Sequence, residues 1–252
     1  MSLFDLTGRV AVITGGSRGI GLAIAHGFAR AGADIVIASR KGDACVAAAA
    51  EITARTGRKA AGIACHVGRW DDCDRLVDAV YQRFGRCDVL VNNAGMSPIY
   101  SSLGEVSESY WDKVTAVNLK GPFRLSAAVG ARMAAGDGGS IINISTIGSL
   151  RPGANELVYA CAKAGLNALT IGLAEAYGPR VRANTIMPGG VATDITETWT
   201  PELRAGALAD LPAGRLGTPE DLAGTALWLA SPASAWVTGT SVRVDGGKYR
   251  QT

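Results

Sequence analysis

The chain has 252 residues, a length at which one α/β domain can bury a full core. With 48% hydrophobic residues, 19% charged residues and 33 glycines, it reads as a compact globular protein, and disorder is excluded. The formal net charge of +3 comes from scattered basic residues rather than runs, which argues against a nucleic-acid or membrane partner and leaves room for an anionic cofactor.

The N-terminal residues Met1 to Gly8 lack a long apolar core, and no run of about 18 apolar residues stands out, so neither a secretion signal nor a membrane span is expected. Arg9 to Thr14 is a β-branched run that meets a glycine-rich turn and then the helical spacing of Leu22, Ile24, Ala25 and Phe28. Gly32 closes that helix, and Ile35 to Ala38 reads as a strand buried on both faces. Helices follow near Ala44 to Thr56 and Asp72 to Phe84, with strands near Ala60 to Cys65 and Val89 to Val91. A helix after Tyr110, the strand Ile141 to Ile144, a helix from Leu157 to Ala176 and the strand Val181 to Ile186 continue the alternation. A helix near Pro219 to Ala230 and the strand Ser241 to Val244 complete it. About seven strands alternating with helices predict an α/β, Rossmann-type doubly wound parallel sheet with helices on both faces, in a single domain spanning 1–252. Five cysteines, Cys45, Cys65, Cys73, Cys87 and Cys161, include no Cys-x-x-Cys pair. They suit neither a disulfide framework nor a zinc site, so no metal is expected and the compartment reads as reducing, hence cytoplasmic.

Gly15, Ser17, Arg18, Gly19, Ile20 and Gly21 lie between the first strand and the first helix. Glycines there let the backbone turn tightly and bring N–H groups to a pyrophosphate at the helix N-terminus. Where an NAD site carries an acidic residue after the second strand, this chain has Ser39-Arg40-Lys41. Arg40 and Arg18 can hold a 2′-phosphate through forked, charge-assisted hydrogen bonds, which predicts NADP(H) preferred over NAD(H); the alternative is that both are solvated surface residues. Tyr159 and Lys163 stand four residues apart on one helix face. A neighbouring ammonium and an oxidised nicotinamide both favour a phenolate, which would let the pair pass a proton near neutral pH.

With Thr14, Gly15, Gly19 and Gly21 followed by Asn92-Asn93-Ala94-Gly95, Asn118, Ile141 to Ser145, Tyr159 and Lys163, Pro188-Gly189, and Val237-Thr238-Gly239 through Val244-Asp245-Gly246-Gly247, the whole chain resembles the short-chain dehydrogenase/reductase family in its single-domain branch. The resemblance implies Tyr159 as general acid/base, Lys163 lowering its pKa and binding the nicotinamide ribose, and Asn118 supporting a water relay. It implies Asn93, Ala94 and Gly95 on the adenosine side, and Pro188, Gly189, Val191 and Thr193 at the nicotinamide amide. Asn92 reads as serving the sheet rather than the ligand. The family places a Ser thirteen residues before the Tyr, where this chain has Thr146 preceded by Ser145. Thr146 is assigned the role because its hydroxyl can donate to a substrate oxygen and successive strand residues face opposite ways; a shift in the following loop would return the role to Ser145. At the end of the third strand, where Asp-Val often faces adenine, stand His66 and Val67. His66 either bonds the adenine amino group through a neutral ring nitrogen or is a ligand-free surface residue. His26 reads as a packing or surface residue within the first helix.

Substrate contacts are expected from Met96 to Tyr100, Leu150 to Leu157 and the variable segment at about 194–212 with Trp199, pointing to a moderately apolar small-molecule ketone or alcohol. The expected reaction is NADPH-dependent reduction of a carbonyl or 3-oxoacyl group. NAD(P)+-linked alcohol oxidation and an NADP(H)-sensing protein without turnover are the alternatives. The resemblance also implies a homotetramer or homodimer built on the helices after Tyr110 and around Tyr159.

Overall fold

Seven runs of aliphatic and β-branched residues form one parallel sheet in the order β3-β2-β1-β4-β5-β6-β7. They are β1 (Val10–Thr14), β2 (Asp34–Ser39), β3 (Ala60–Ala64), β4 (Val89–Asn92), β5 (Gly139–Ile144), β6 (Val181–Pro188) and β7 (Ser241–Val244). This computed structural model describes residues 3–192, 200, 205–206, 208–209 and 211–249. The helices between strands are α1 (Gly19–Arg30), α2 (Gly42–Thr56), α3 (Trp70–Phe84), α4 (Glu108–Thr115), α5 (Gly121–Ala135), α6 (Leu157–Tyr177) and α7 (Pro219–Ala230). After β3 the chain crosses to the other side of β1, so strand order reverses between β1 and β4, and a crevice opens beyond their C-terminal ends.

Two buried clusters, one on each face, hold the layers together. Ala11 and Ile13 of β1 join Phe28, Ile37, Leu222 and Leu229 in one, while Val10 and Val12 join Leu76, Leu90, Leu125 and Ile141 in the other. That split is the two-residue period of a strand covered on both sides. Polar groups also cross the centre of the sheet. Asn92 Nδ2 donates to Asn143 Oδ1 at 2.8 Å and to Ser126 Oγ at 2.9 Å, and Asn143 Nδ2 donates to Thr170 Oγ1 at 2.8 Å. Asn92 thus serves the sheet, as expected.

Element boundaries differ modestly from the expectation. Helix α2 begins at Gly42 rather than Ala44 and α3 at Trp70 rather than Asp72, because the residues before them, Lys41 and Arg69, make no side-chain cap that a sequence reading could find. Helix α4 begins before Tyr110, where Ser107 Oγ accepts from the Tyr110 N–H at 3.2 Å. Helix α6 is, among the described residues, long and apolar enough to cross a membrane, although no such run was expected. Its Val158, Ala162, Leu166 and Leu173 are buried, so much of that apolar length covers the sheet.

Gly62 sets the distance between α2 and the sheet. A Cβ there would lie 2.3 Å from both the Cys45 carbonyl carbon and the Val46 nitrogen, backbone atoms that move only if the helix moves. Gly62→Ala is expected to cost about 3 kcal/mol in urea unfolding, the upper end for overpacking. Gly42→Ala, whose Cβ would meet only Ala64 Cβ at 3.4 Å, is expected to be near neutral. Equal stability of the two variants would remove this account of the layer spacing.

Candidate active site

The turn after β1 is folded onto the chain leaving β4. Gly15 and Gly19 have φ of +63° and +54°, the region side chains avoid. A Cβ on Gly21 would lie 2.5 Å from both Asn93 Nδ2 and the Gly15 oxygen. Asn93 Nδ2 donates to the Thr14 and Gly15 carbonyls at 2.9 and 3.2 Å, and Thr14 Oγ1 accepts from the Asn93 and Ala94 N–H groups at 3.0 and 3.1 Å. The Asn93 amide therefore shapes the turn.

A dinucleotide fits this cradle. Arg18, at the N-cap of α1, makes no side-chain cap, and the first turn of the helix carries no acidic residue of its own. Such an end attracts an anion. Ser17 Oγ donates to Ser39 Oγ at 3.2 Å, and Ser39 Oγ lies 3.0 Å from the buried Cys45 Sγ. This chain of contacts brings the glycine turn to the end of β2, where the exposed Arg18 and Arg40 flank it.

At the end of β3, His66 is partly buried and its Nδ1 accepts from the Gly68 N–H at 3.2 Å. With that lone pair used, the neutral ring carries its proton on Nε2. Nδ1 is thus taken by the backbone, and Nε2 is the ring nitrogen left for a ligand. Val67 is buried, and its carbonyl accepts from Cys73 Sγ at 3.2 Å.

Asn118, Tyr159 and Lys163 meet at the end of β4. Asn118 sits in a π-helical turn (Ala116–Lys120) between α4 and α5, and such single turns recur at functional sites. Its Nδ2 donates to the Met96 and Val114 carbonyls at 2.8 and 2.9 Å, and its Oδ1 accepts from the Met96 N–H at 3.2 Å. A Cβ on Gly95 would lie 3.0 Å from Asn118 Oδ1 and 3.7 Å from Lys163 Nζ, so only glycine leaves that corner open. Lys163 is 2% exposed, donates from Nζ to the Ile144 carbonyl at 2.7 Å, and lies 5.8 Å from the centre of the Tyr159 ring. Thr146 is half-buried, and its Oγ1 accepts from the Gly148 N–H at 3.1 Å. Ser145 is buried and turned the other way, its hydroxyl 3.3 Å from the Lys163 carbonyl.

Beyond β6, Gly189 donates to the Val244 carbonyl at 3.1 Å, and a Cβ on it would lie 2.8 Å from Asp245 Cα. Pro188 ends the strand, and Val191 pairs with Gly217 while its side chain enters the core. Thr193, Trp199 and most of the 194–212 segment lie outside the described residues.

Several contacts of this site gave no sequence signal. Tyr100 OH donates to the Ala154 carbonyl at 2.7 Å and accepts from the Leu157 N–H at 2.9 Å, capping α6 from a distant loop. Asn167 donates to Ser149 Oγ at 2.9 Å, and that hydroxyl donates to the Thr146 carbonyl at 2.6 Å, bracing the Thr146 turn. Only the helical spacing of Asn167 one turn beyond Lys163 could have hinted at it.

This fold and crevice define an α/β dinucleotide-binding enzyme. A family model described as Enoyl-(Acyl carrier protein) reductase matches residues 15–248. The chain is 40% identical to an L-rhamnose 1-dehydrogenase (NAD(P)(+)) of Azotobacter vinelandii over 251 residues, 97% of this chain and 98% of that one. It is 37% identical to the 3-oxoacyl-(acyl-carrier-protein) reductase FabG of Chlamydia trachomatis over 96% and 98% of the two chains. The crystal structure of a short-chain type dehydrogenase/reductase from Mycobacterium marinum superposes with a TM-score of 0.92 at 33% identity, covering 99% of this chain and 98% of that one. The chain belongs to the short-chain dehydrogenase/reductase family and is an NAD(P)-dependent oxidoreductase acting on CH–OH or C=O groups.

The protein's own groups do not lower the Tyr159 phenol as expected from Lys163. Burial, with the charge of Glu156, pushes it well above its ordinary value, and burial draws Lys163 down to about 7. The cause is shared: both groups leave water for one pocket, and a desolvated ion is disfavoured. Because Lys163 sits far below its unfolded value near 10.4, the unfolded chain binds more protons between the two, and stability rises with pH through that window. Relative to Lys163→Met, the wild type is expected to gain about 2 kcal/mol between pH 7 and 8.5 in urea unfolding. Parallel curves for the two proteins would show that Lys163 stays charged in the fold.

Proposed function

We propose that the chain is an NADPH-dependent reductase of ketones, 3-oxoacyl thioesters included. The convergence of Asn118, Tyr159 and Lys163 beside the cradle for a dinucleotide carries this reading. The bound nicotinamide would supply the hydride, and the protein supplies position and proton. Tyr159 OH gives its proton to the substrate oxygen as that oxygen gains charge, and Thr146 Oγ1 donates a second hydrogen bond to it. Ser145, spent against α6, is not available for that role. Lys163 holds the ribose hydroxyls and, when protonated, stabilises the phenolate left behind. Asn118 fixes the Met96 backbone and supports the water that returns the proton. Gly15 to Gly21 take the pyrophosphate, His66 and Val67 the adenine, and Pro188, Gly189, Val191 and Thr193 the nicotinamide amide.

NADP(H) is preferred over NAD(H) in this reading because Ser39-Arg40-Lys41 replaces an acidic residue that would repel a 2′-phosphate. A second reading, NAD(P)+-linked oxidation of a secondary alcohol, is favoured by the L-rhamnose dehydrogenase relative and uses the same residues. The working protein is a cytoplasmic homotetramer or homodimer of one domain, with the faces of α4, α5 and α6 between copies.

The test is absorbance at 340 nm with NADPH or NADH and a panel of ketones, 3-oxoacyl thioesters and quinones. Tyr159→Phe is expected to abolish turnover while binding NADPH like the wild type by fluorescence titration. Arg40→Ala is expected to weaken NADPH roughly tenfold or more, the loss of one charge-assisted bond, and to leave NADH unchanged. Thr146→Ala should lose more activity than Ser145→Ala. Equal NADH and NADPH affinities in the wild type would discard the cofactor preference, and turnover surviving in Tyr159→Phe would discard the proton donor.

A further inference from the structure

Glu156 stands three residues before Tyr159, at the N-cap position of α6, yet its side chain makes no cap. Glutamate is a poor residue for that position, and the Leu157 N–H that needs an acceptor finds it in Tyr100 OH. The carboxylate has instead turned toward the loop after Thr146. Its Oε1 accepts one long bond, 3.3 Å, from the Gly153 N–H. It also lies 2.9 Å from the point where a Cβ on Gly148 would sit, and Thr146 Oγ1 lies 3.5 Å from that same point. Its negative charge is felt at the Tyr159 phenol. Glu156 therefore stands across Gly148 from the Thr146 hydroxyl, three residues before Tyr159 in the chain.

Among the described residues no Lys, Arg or His makes an ion pair with it. Lys163, the buried cation of the site, gives its ammonium to the Ile144 carbonyl. A half-buried carboxylate with one weak partner retains acceptor capacity, and an ionised acceptor bonds a cationic donor most strongly. A carboxylate so placed selects a substrate whose body carries one positive group.

We infer that Glu156 is a substrate-binding residue and that the substrate class is a ketone, or its alcohol, bearing a protonated amine a few bonds from the reacting carbon. The inference rests on the reductase reading for the place of the carbonyl. It also accounts for a feature that the reading leaves standing, a negative charge that raises the proton donor against its task. A cation bound there neutralises Glu156 when the substrate is in place.

Two arms separate the inference from the reading beneath it. In the first, 1-methylpiperidin-4-ol and 4-methylcyclohexanol, alike in shape and different in charge, are titrated into the enzyme–NADPH complex by calorimetry at pH 7.5. The amine is expected to bind roughly tenfold tighter or better, and Glu156→Gln to bring the two within about threefold with NADPH affinity unchanged. Equal binding of the two alcohols, or a preference that survives in Glu156→Gln, overturns the inference, and so does failure of the amine to bind. In the second arm, NADPH oxidation is followed with the matching ketones, 1-methylpiperidin-4-one and 4-methylcyclohexanone. The same preference is expected there, mainly in KM. Turnover of both ketones at equal kcat/KM overturns the inference, whereas tight amine binding with no turnover of either ketone counts against the reductase reading alone.

Discussion

The hydrogen bonds between Thr14 and Asn93 are the constraint on which the site depends. They join the chain leaving β1 to the chain leaving β4, the two strands between which the order of the sheet reverses. A parallel sheet opens at such a point because its crossovers diverge to opposite faces. Left alone, the two loops would move independently, and a cradle made of backbone N–H groups needs its backbone fixed. One asparagine amide and one threonine hydroxyl fix it, and the missing Cβ atoms of Gly15 and Gly21 let the loops approach closely enough for those bonds to form. The phosphate-binding and catalytic halves of the crevice are thereby held as one surface, since Gly95, three residues beyond Asn92, opens onto Asn118 and Lys163.

The electrostatics of the crevice follow from burial more than from pairing. Tyr159 and Lys163 were expected to tune each other, but each is governed first by the loss of water. A buried ammonium half-titrated near neutrality is a weak stabiliser of a phenolate and a ready carrier of protons. Stabilising the anionic form of Tyr159 thus falls to charge brought in by what binds, which couples proton transfer to the assembled complex.

Most of the fold was legible because its signals are periodic and local. Continuous apolar runs gave the strands, glycine turns gave the crossovers, and the element order gave the sheet. The cradle and the Tyr159–Lys163 pair were legible for the same reason, since their spacing along the chain is their geometry. What escaped depends on contacts between distant segments. The direction of the Asn93 amide, the capping of α6 by Tyr100 and the bracing of Thr146 by Ser149 and Asn167 each join residues whose separation in sequence carries no period. The starts of α2 and α3 escaped because neither helix has a capping side chain. The choice between Thr146 and Ser145 rested on strand alternation, and the buried course of the Ser145 hydroxyl fits it.

Packed and exposed parts of the site divide in this molecule. The residues that would hold the cofactor and the proton donor sit at strand ends and on α6, where packing on both faces of the sheet fixes them. The groups that would meet the rest of the substrate sit on the loops after β4 and β5, the second of which ends in the Glu156 carboxylate. A family with one chemistry and many substrates needs that separation, because a loop can change charge without disturbing the hydride and proton geometry beneath it. Glu156 lies at the seam. It is the last loop residue before α6, across Gly148 from Thr146, yet free of the capping role that would have tied it to the helix. A charge at that seam acts on substrate choice and on the proton donor together, so selection for one constrains the other.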